Sequence, residues 1–219
     1  MAGNTGTFIS FEGGEGCGKT TQRNRLVETL KARGLDVIVT RELGGTEGAE
    51  LLRPVVQGGD VGRWDALSEA LMIYGARHDH TEKVIKPGIM SGKWVLSDRF
   101  FDTTTVYQGY AGGLGMDVLD NIRRVALGTF EPNLTLIFDI DPERGLERAF
   151  ADAKTRPVDN TRFERKGLEF HQRVRAGFLE ILKANPNRCV LIDADGTMDE
   201  VQQRVWNVVS QRYGLKDAA

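Results

Sequence analysis

The chain has 219 residues, a formal net charge of −2 and 27% charged residues; this length suits one α/β domain with a full core, and the balanced charge leaves no footprint for a nucleic-acid partner. No apolar run approaches the roughly 20 residues that span a bilayer, so no membrane partner is expected. Met1–Thr5 lacks the basic and apolar regions of an export signal, and two cysteines, Cys17 and Cys189, are too few for a disulfide framework; both features predict a cytoplasmic protein.

The apolar run Phe8–Phe11 marks a first strand over Thr7–Glu12, which leads directly into Gly13–Thr20, GGEGCGKT. This is a G-x-x-x-x-G-K-T pattern at the start of a helix predicted over Gly18–Arg33, with Gly34 as its stop. Strand, glycine-rich turn and helix start together cradle the phosphates of a nucleotide. Gly13, Gly16 and Gly18 permit the φ angles that turn N–H groups inward, and the helix adds its positive end. Lys19 supplies a cation for the β/γ-phosphates, and Thr20 a hydroxyl for Mg²⁺.

Asp36–Arg41 reads as a second strand, Thr46–Gln57 as a short helix and Trp64–Met90 as a longer helical stretch. Lys93–Ser97 is a third strand ending at Asp98–Arg99, Gly115–Gly128 a helix and Leu134–Asp139 a fourth strand. Pro142–Ala151 and Phe163–Ala184 read as helices, Cys189–Asp193 as a fifth strand and Met198–Tyr213 as a final helix. The alternation predicts one domain over residues 1–219, with helices on both faces of a parallel sheet and ligands beyond the carboxyl ends of the strands.

Asp98–Arg99 stands at such an end. The carboxylate suits Mg²⁺ or its water shell, and the guanidinium can fork onto a phosphate. His78 and His80 are two positions apart on a helix and face apart, which argues against a shared metal. Cys17 lies at a helix N-terminus near Lys19, a setting that raises thiolate character. A guanine-nucleotide switch is disfavoured: no N-K-x-D or T-K-x-D segment is present, and Asp193–Gly196 fits D-x-x-G only after the last strand.

Six segments in one order resemble those of bacterial thymidylate kinases: FEGGEGCGKTTQ (11–22), TRELGGT (40–46), EALMIYGAR (69–77), SDRFFDTTTVYQG (97–109), PNLTLIFDIDPE (132–143) and TRFE (161–164). The resemblance implies a P-loop NTPase fold with a mobile lid at about 153–162, and transfer of the γ-phosphoryl of Mg·ATP to dTMP by a homodimer. It implies ATP binding by Gly13, Gly14, Glu15, Gly16, Cys17, Gly18, Lys19, Thr20 and Thr21, and Mg²⁺ at Thr20 and Asp98. For the acceptor it implies Glu15 at the 3′-hydroxyl, Arg41, Arg53 and Arg99 at the phosphate, and Ile73 and Arg77 at the base. Thr104 and Gln108 then read the base, and Tyr107 lies under the sugar. Lys19, Glu15 and Arg99 are the expected catalytic groups. Because the P-loop carries no arginine, the lid residues Arg156 and Arg162, with Lys154, are expected as arginine-finger-type groups, worth about 10³–10⁵ in rate. The chemistry accords with these cations: the acceptor phosphate is already an anionic nucleophile, so positioning and charge neutralisation matter more than a base.

Several positions depart from the family pattern. Leu43 replaces a proline, Ile73 an aromatic ring that stacks on thymine, and Thr161 an aspartate of the lid; Thr103 and Val106 replace smaller residues. These changes leave another pyrimidine deoxynucleotide, such as a 5-modified dUMP, as the alternative acceptor. Tyr74 adjoins Ile73 but points about 100° away on a helix. Part of the face bearing Ala70, Leu71, Ile73 and Tyr74 is expected to pack on a partner.

Overall fold

The computed structural model describes residues 6–154 and 161–216. Its strands are β1 (Thr7–Gly13), β2 (Val37–Arg41), β3 (Trp94–Asp98), β4 (Leu134–Asp139) and β5 (Cys189–Asp193). They form one all-parallel sheet in the order β2-β3-β1-β4-β5. The helices are α1 (Lys19–Lys31), α2 (Glu47–Gln57), α3 (Ala66–His80), α4 (Lys86–Met90), α5 (Phe101–Thr104), α6 (Met116–Leu127), α7 (Pro142–Ala153), α8 (Leu168–Ala184) and α9 (Met198–Tyr213).

Every residue of β1 is buried, as a central strand covered on both faces requires. Ile9 and Phe11 pack with Leu26 and Leu30 of α1 and Val205 and Val209 of α9. Phe8 turns to the other face, among Tyr74 of α3, Val95, Phe100 and Leu119 of α6. A third cluster joins Val106 and Tyr107 to Ile137 of β4 and to Phe170, Val174 and Phe178 of α8. Parallel register pairs Phe11 with Asp98 and Arg41 with Asp98, so the ends of β1, β2 and β3 arrive at one edge.

Helix starts follow their caps. The Thr46 hydroxyl accepts from Ala49 N at 3.3 Å, the Asp65 carboxylate accepts from Ser68 N at 2.8 Å, and Thr197 with Glu200 forms a capping box. Two expectations change, and one further element is unforeseen. The Trp64–Met90 stretch starts at Ala66 and is interrupted by a wide π-helical turn over Thr81–Ile85. The Phe163–Ala184 stretch is a 3₁₀ turn, Glu164–Lys166, then α8, broken at Gly167 with φ 88°. Residues 101–110 form α5 and a second π-helical turn, Thr105–Tyr110; a run of threonine and valine hides this helix, which core contacts of Val106 and Tyr107 stabilise instead.

Candidate active site

A cleft of about 450 Å³ opens at the carboxyl ends of β1, β2 and β3. Its floor is the phosphate loop between β1 and α1. Gly13, Gly16 and Gly18 have φ of 138°, 64° and 84°. At Gly16 space also requires glycine: a Cβ would sit 1.9 Å from the Gly145 carbonyl oxygen, and one on Gly145 would sit 2.5 Å from that of Glu15. Gly18 caps α1 without a side-chain oxygen, so first-turn N–H groups remain for an anion. Lys19 Nζ donates to the carbonyls of Gly13 (3.2 Å) and Gly14 (2.5 Å) and to Cys17 Sγ (3.2 Å). Cys17 is buried, and its thiol donates to Gly14 O.

Thr20 Oγ1 donates to Asp98 Oδ2, joining the start of α1 to the end of β3. Arg99 follows with φ 71°, a left-handed conformation uncommon outside glycine. Its amide is held by Phe11 O at 2.9 Å. Its guanidinium donates to Gly13 O and Thr103 Oγ1, each at 3.2 Å, and to Glu15 Oε1 at 3.0 Å. Glu15 Oε1 also accepts the Tyr107 hydroxyl at 2.8 Å. Burial works against the Glu15 charge, but Arg99, Lys19 and Tyr107 prevail and hold its carboxyl down at about 2.

Beneath them lies Glu12, fully buried on β1. It accepts Phe100 N at 2.7 Å and shares a 2.5 Å hydrogen bond with Thr103 Oγ1. Burial, then the nearby Asp102, push its carboxyl up to about 8.

Arg23, Arg41 and Arg53 line the cleft with Arg99. Arg41 reaches Glu50 at 3.0 Å, while Arg53 donates to Leu43 O and Arg23 to Thr40 O. Burial and then Arg41 lower the pKa of Arg53, and burial lowers that of Arg23, where Arg41 also opposes the charge. Like charges crowded against one another in this way would be relieved by a dianion.

At the far end, Arg77 donates from Nε to Glu42 Oε2 at 2.6 Å and from Nη2 to Thr104 Oγ1 at 2.9 Å. Gln108 Nε2 donates to Glu69 Oε2 at 2.8 Å. Arg77 Nη1 and Gln108 Oε1 are buried without a hydrogen-bond partner, and both residues line the cleft, as do Ile73, Thr104 and Tyr107. The Glu42–Leu43 peptide, where the sequence departs from proline, is cis.

Thus Glu15, Gly16, Gly18, Lys19, Thr20, Thr21, Arg41, Arg53, Ile73, Arg77, Asp98, Arg99, Thr104, Tyr107 and Gln108 share one cleft. Gly13, Gly14 and Cys17 belong to the loop behind it. Arg156 lies outside the described residues. Arg162 does not line the cleft, contrary to its expected place as a finger: it is fully buried, with Nη1 on Glu69 Oε1 at 2.6 Å and Nη2 on Val56 O at 2.6 Å. Lys154 is exposed at the end of α7. Tyr74 packs in the core away from Ile73's side. His80 bonds Thr40 and Glu42, and His78 bonds Ala126 O. No group of three or more His, Cys, Asp or Glu among the described residues could hold a metal alone.

Sequence reasoning missed Arg23, Glu12, Glu42 and Glu69. Arg23 sits four residues after Lys19, the spacing that shares a helix face, and could have been found that way. The carboxylates gain their meaning from partners 35 to 93 residues away.

Comparison with known proteins agrees with the cleft. The family model described as Thymidylate kinase matches residues 11–205. The thymidylate kinase of Caulobacter vibrioides is 50% identical over 210 residues, covering 96% of this chain and 99% of that protein. That of Nitrobacter winogradskyi is 45% identical over 214 residues, covering 98% and 92%. The crystal structure of thymidylate kinase from Ehrlichia chaffeensis superposes with a TM-score of 0.73 at 33% identity, covering 93% of this chain and 98% of that one. With a phosphate loop, an arginine cluster and a polar pocket in family order, the chain belongs to the thymidylate kinase family.

Proposed function

We propose that the cleft transfers the γ-phosphoryl of ATP to dTMP, giving dTDP. The observation that carries this reading is the set of Arg23, Arg41, Arg53 and Arg99 around one end of a cleft whose other end offers an unpartnered donor and acceptor. One end suits phosphates and the other a base edge. ATP phosphates lie on the loop of residues 13–20, where Lys19 exchanges the carbonyls of Gly13 and Gly14 for phosphate oxygens. Arg99, anchored by Glu15, orients the acceptor phosphate, and Arg41, Arg53 and Arg23 neutralise it. No strong base is required, because the attacking oxygen is already anionic. Arg77, Thr104 and Gln108 read the base against Ile73, and Tyr107 limits room at the sugar.

Thr20 and Asp98 would hold Mg²⁺. Their hydroxyl and carboxylate oxygens are hard ligands of the kind this ion takes alongside substrate phosphates and water. When bound, it would neutralise charge on the phosphates. We also read the chain as one kinase domain with a lid at about 153–162, of which residues 155–160, Arg156 among them, lie outside the described residues. Exposed Leu51 and Val55 on α2 and Leu67 and Leu71 on α3 support a homodimer. Two free, buried cysteines and the substrates suit the cytoplasm.

The test is ADP release with Mg·ATP across dTMP, dUMP, 5-hydroxymethyl-dUMP, dCMP, UMP, AMP and dGMP. Turnover strongest with dTMP is the expected result. A kcat/KM at least about tenfold higher for another nucleotide would move the acceptor to the second reading, a 5-modified deoxyuridylate, which Ile73 favours by lacking the usual ring.

A further inference from the structure

Glu69 on α3 accepts on both carboxylate oxygens: Gln108 Nε2 at 2.8 Å on one, Arg162 Nη1 at 2.6 Å on the other. Arg162 is held in turn by Val56 O, bonded by Nε at 3.1 Å and Nη2 at 2.6 Å. All three side chains are nearly or completely buried. A carboxylate paired with an arginine has no hydrogen to donate. The Gln108 amide therefore has one acceptable orientation, with its NH₂ on Glu69 and its oxygen left without a partner in a residue that lines the cleft. Turned over, it would set oxygen against oxygen in a buried place, at the full cost of unmet hydrogen bonds.

The fixed oxygen, Gln108 Oε1, has no partner, and neither has Arg77 Nη1 at the same end of the cleft. An acceptor beside a donor fits a base edge that presents N3–H and O4. Cytosine presents the reverse, an N3 acceptor and an N4 amino donor. We propose that Glu69, locked by Arg162, is a specificity-determining positioning residue: it sets the polarity of the Gln108 amide and so selects thymine or uracil over cytosine. The proposal rests on Gln108 reading the base.

The test compares kcat/KM for dTMP and dCMP in the wild type, Glu69→Gln and Gln108→Ala. An amide at position 69 can donate, which frees Gln108 to turn its NH₂ into the cleft. Glu69→Gln should lower the dTMP-to-dCMP ratio by about tenfold or more, through a higher KM for dTMP and a lower one for dCMP. Because that change leaves Arg162 without its charge partner, the double variant Glu69→Gln/Arg162→Gln is measured beside it and should show the same fall. Equal losses for both nucleotides would mean a structural role only and would overturn the proposal. If Gln108→Ala lowers the ratio while both Glu69 variants keep it, base reading by Gln108 stands and the role of Glu69 is overturned. If Gln108→Ala keeps the ratio, the base-reading premise fails and the proposal falls with it.

Discussion

Arg99 and Glu15 form an ion pair of 3.0 Å that ties the residue after β3 to the phosphate loop. Neither side chain is fully buried, with 18% of each exposed, so the pair remains open to a ligand. The anchored guanidinium is preorganised toward the cleft, and preorganised charge is the main contribution a protein makes to phosphoryl transfer.

Replacing Arg99 with alanine should therefore lower kcat/KM for dTMP by about a hundredfold or more. Steady-state kinetics on the folded variant checks this, and an effect under about threefold would remove Arg99 from the site.

Arg23 shares the acceptor end but bonds mainly to Thr40 O and Asn24. Arg23→Gln should raise KM for the acceptor by about tenfold, the effect of one charge-assisted contact, with a smaller change in kcat. An unchanged KM at low ionic strength would leave Arg23 a purely structural residue.

Ile73 lines the cleft within a cluster of Leu43, Ala49, Val56 and Ala76. Ile73→Phe supplies the ring that the family pattern leads one to expect, and base–aromatic stacking is worth about 1–3 kcal/mol. KM for dTMP should fall by about five- to tenfold. A rise in KM, accompanied by a lower Tm, would show that the cluster has no room for the ring.

Glu12 gives the protein a definite pH signature. In the unfolded chain this carboxyl loses its proton near 4.5, whereas burial and Asp102 hold it in the native state up to about 8. Between those values the native state binds more protons, so this contribution to stability is complete below 4.5 and is lost as pH rises to about 8. Glu12→Gln cannot ionise, and its stability relative to wild type should rise across that window. Urea midpoints at several pH values read the difference, and a constant offset would contradict the shift. Glu15 acts oppositely: its stabilisation is present above 4.5 and is lost as pH falls toward about 2.

Away from the cleft, Arg188 grips Asp102 through Nη1 at 2.5 Å and Nη2 at 3.0 Å, and both groups are buried. Arg188→Met leaves an uncompensated buried carboxylate and should cost about 3–5 kcal/mol in urea unfolding. Adding Asp102→Asn should recover much of that loss, because no charge is then stranded.

The phosphate loop and the strand–helix alternation are legible in the sequence because they depend on local order, whereas Arg41, Arg53, Ile73, Arg77, Thr104, Tyr107 and Gln108 are expected in the cleft through the family resemblance and lie there. GGEGCGKT after Phe8–Phe11 specifies a strand, a turn and a helix start within a few residues. Residues 101–110 were hidden for the opposite reason: Thr103, Thr104, Thr105 and Val106 are poor helix formers, and the helix exists because Tyr107 and Val106 pack on α8. Arg162 shows the same limit in the site. An arginine in a polar, proline-containing stretch reads as a free cation, and only the folded chain brings Glu69, 93 residues away, to its guanidinium. Glu12 reads as one polar residue in an apolar strand, with nothing local to indicate Thr103 or Asp102 beside it.

Where Gly16 meets Gly145, main chain bears on main chain with no side chain between them. Side chains take up small displacements by changing rotamer, but abutting backbones have no such give. The phosphate loop and the first turn of α7 therefore behave as a stiff joint. The helix runs on from this contact at about 1.5 Å per residue and carries Arg148 and Asp152 into the cleft wall. The loop that cradles phosphates and the wall that faces them are thus set at one distance by a backbone contact, while α8 packs against the same helix.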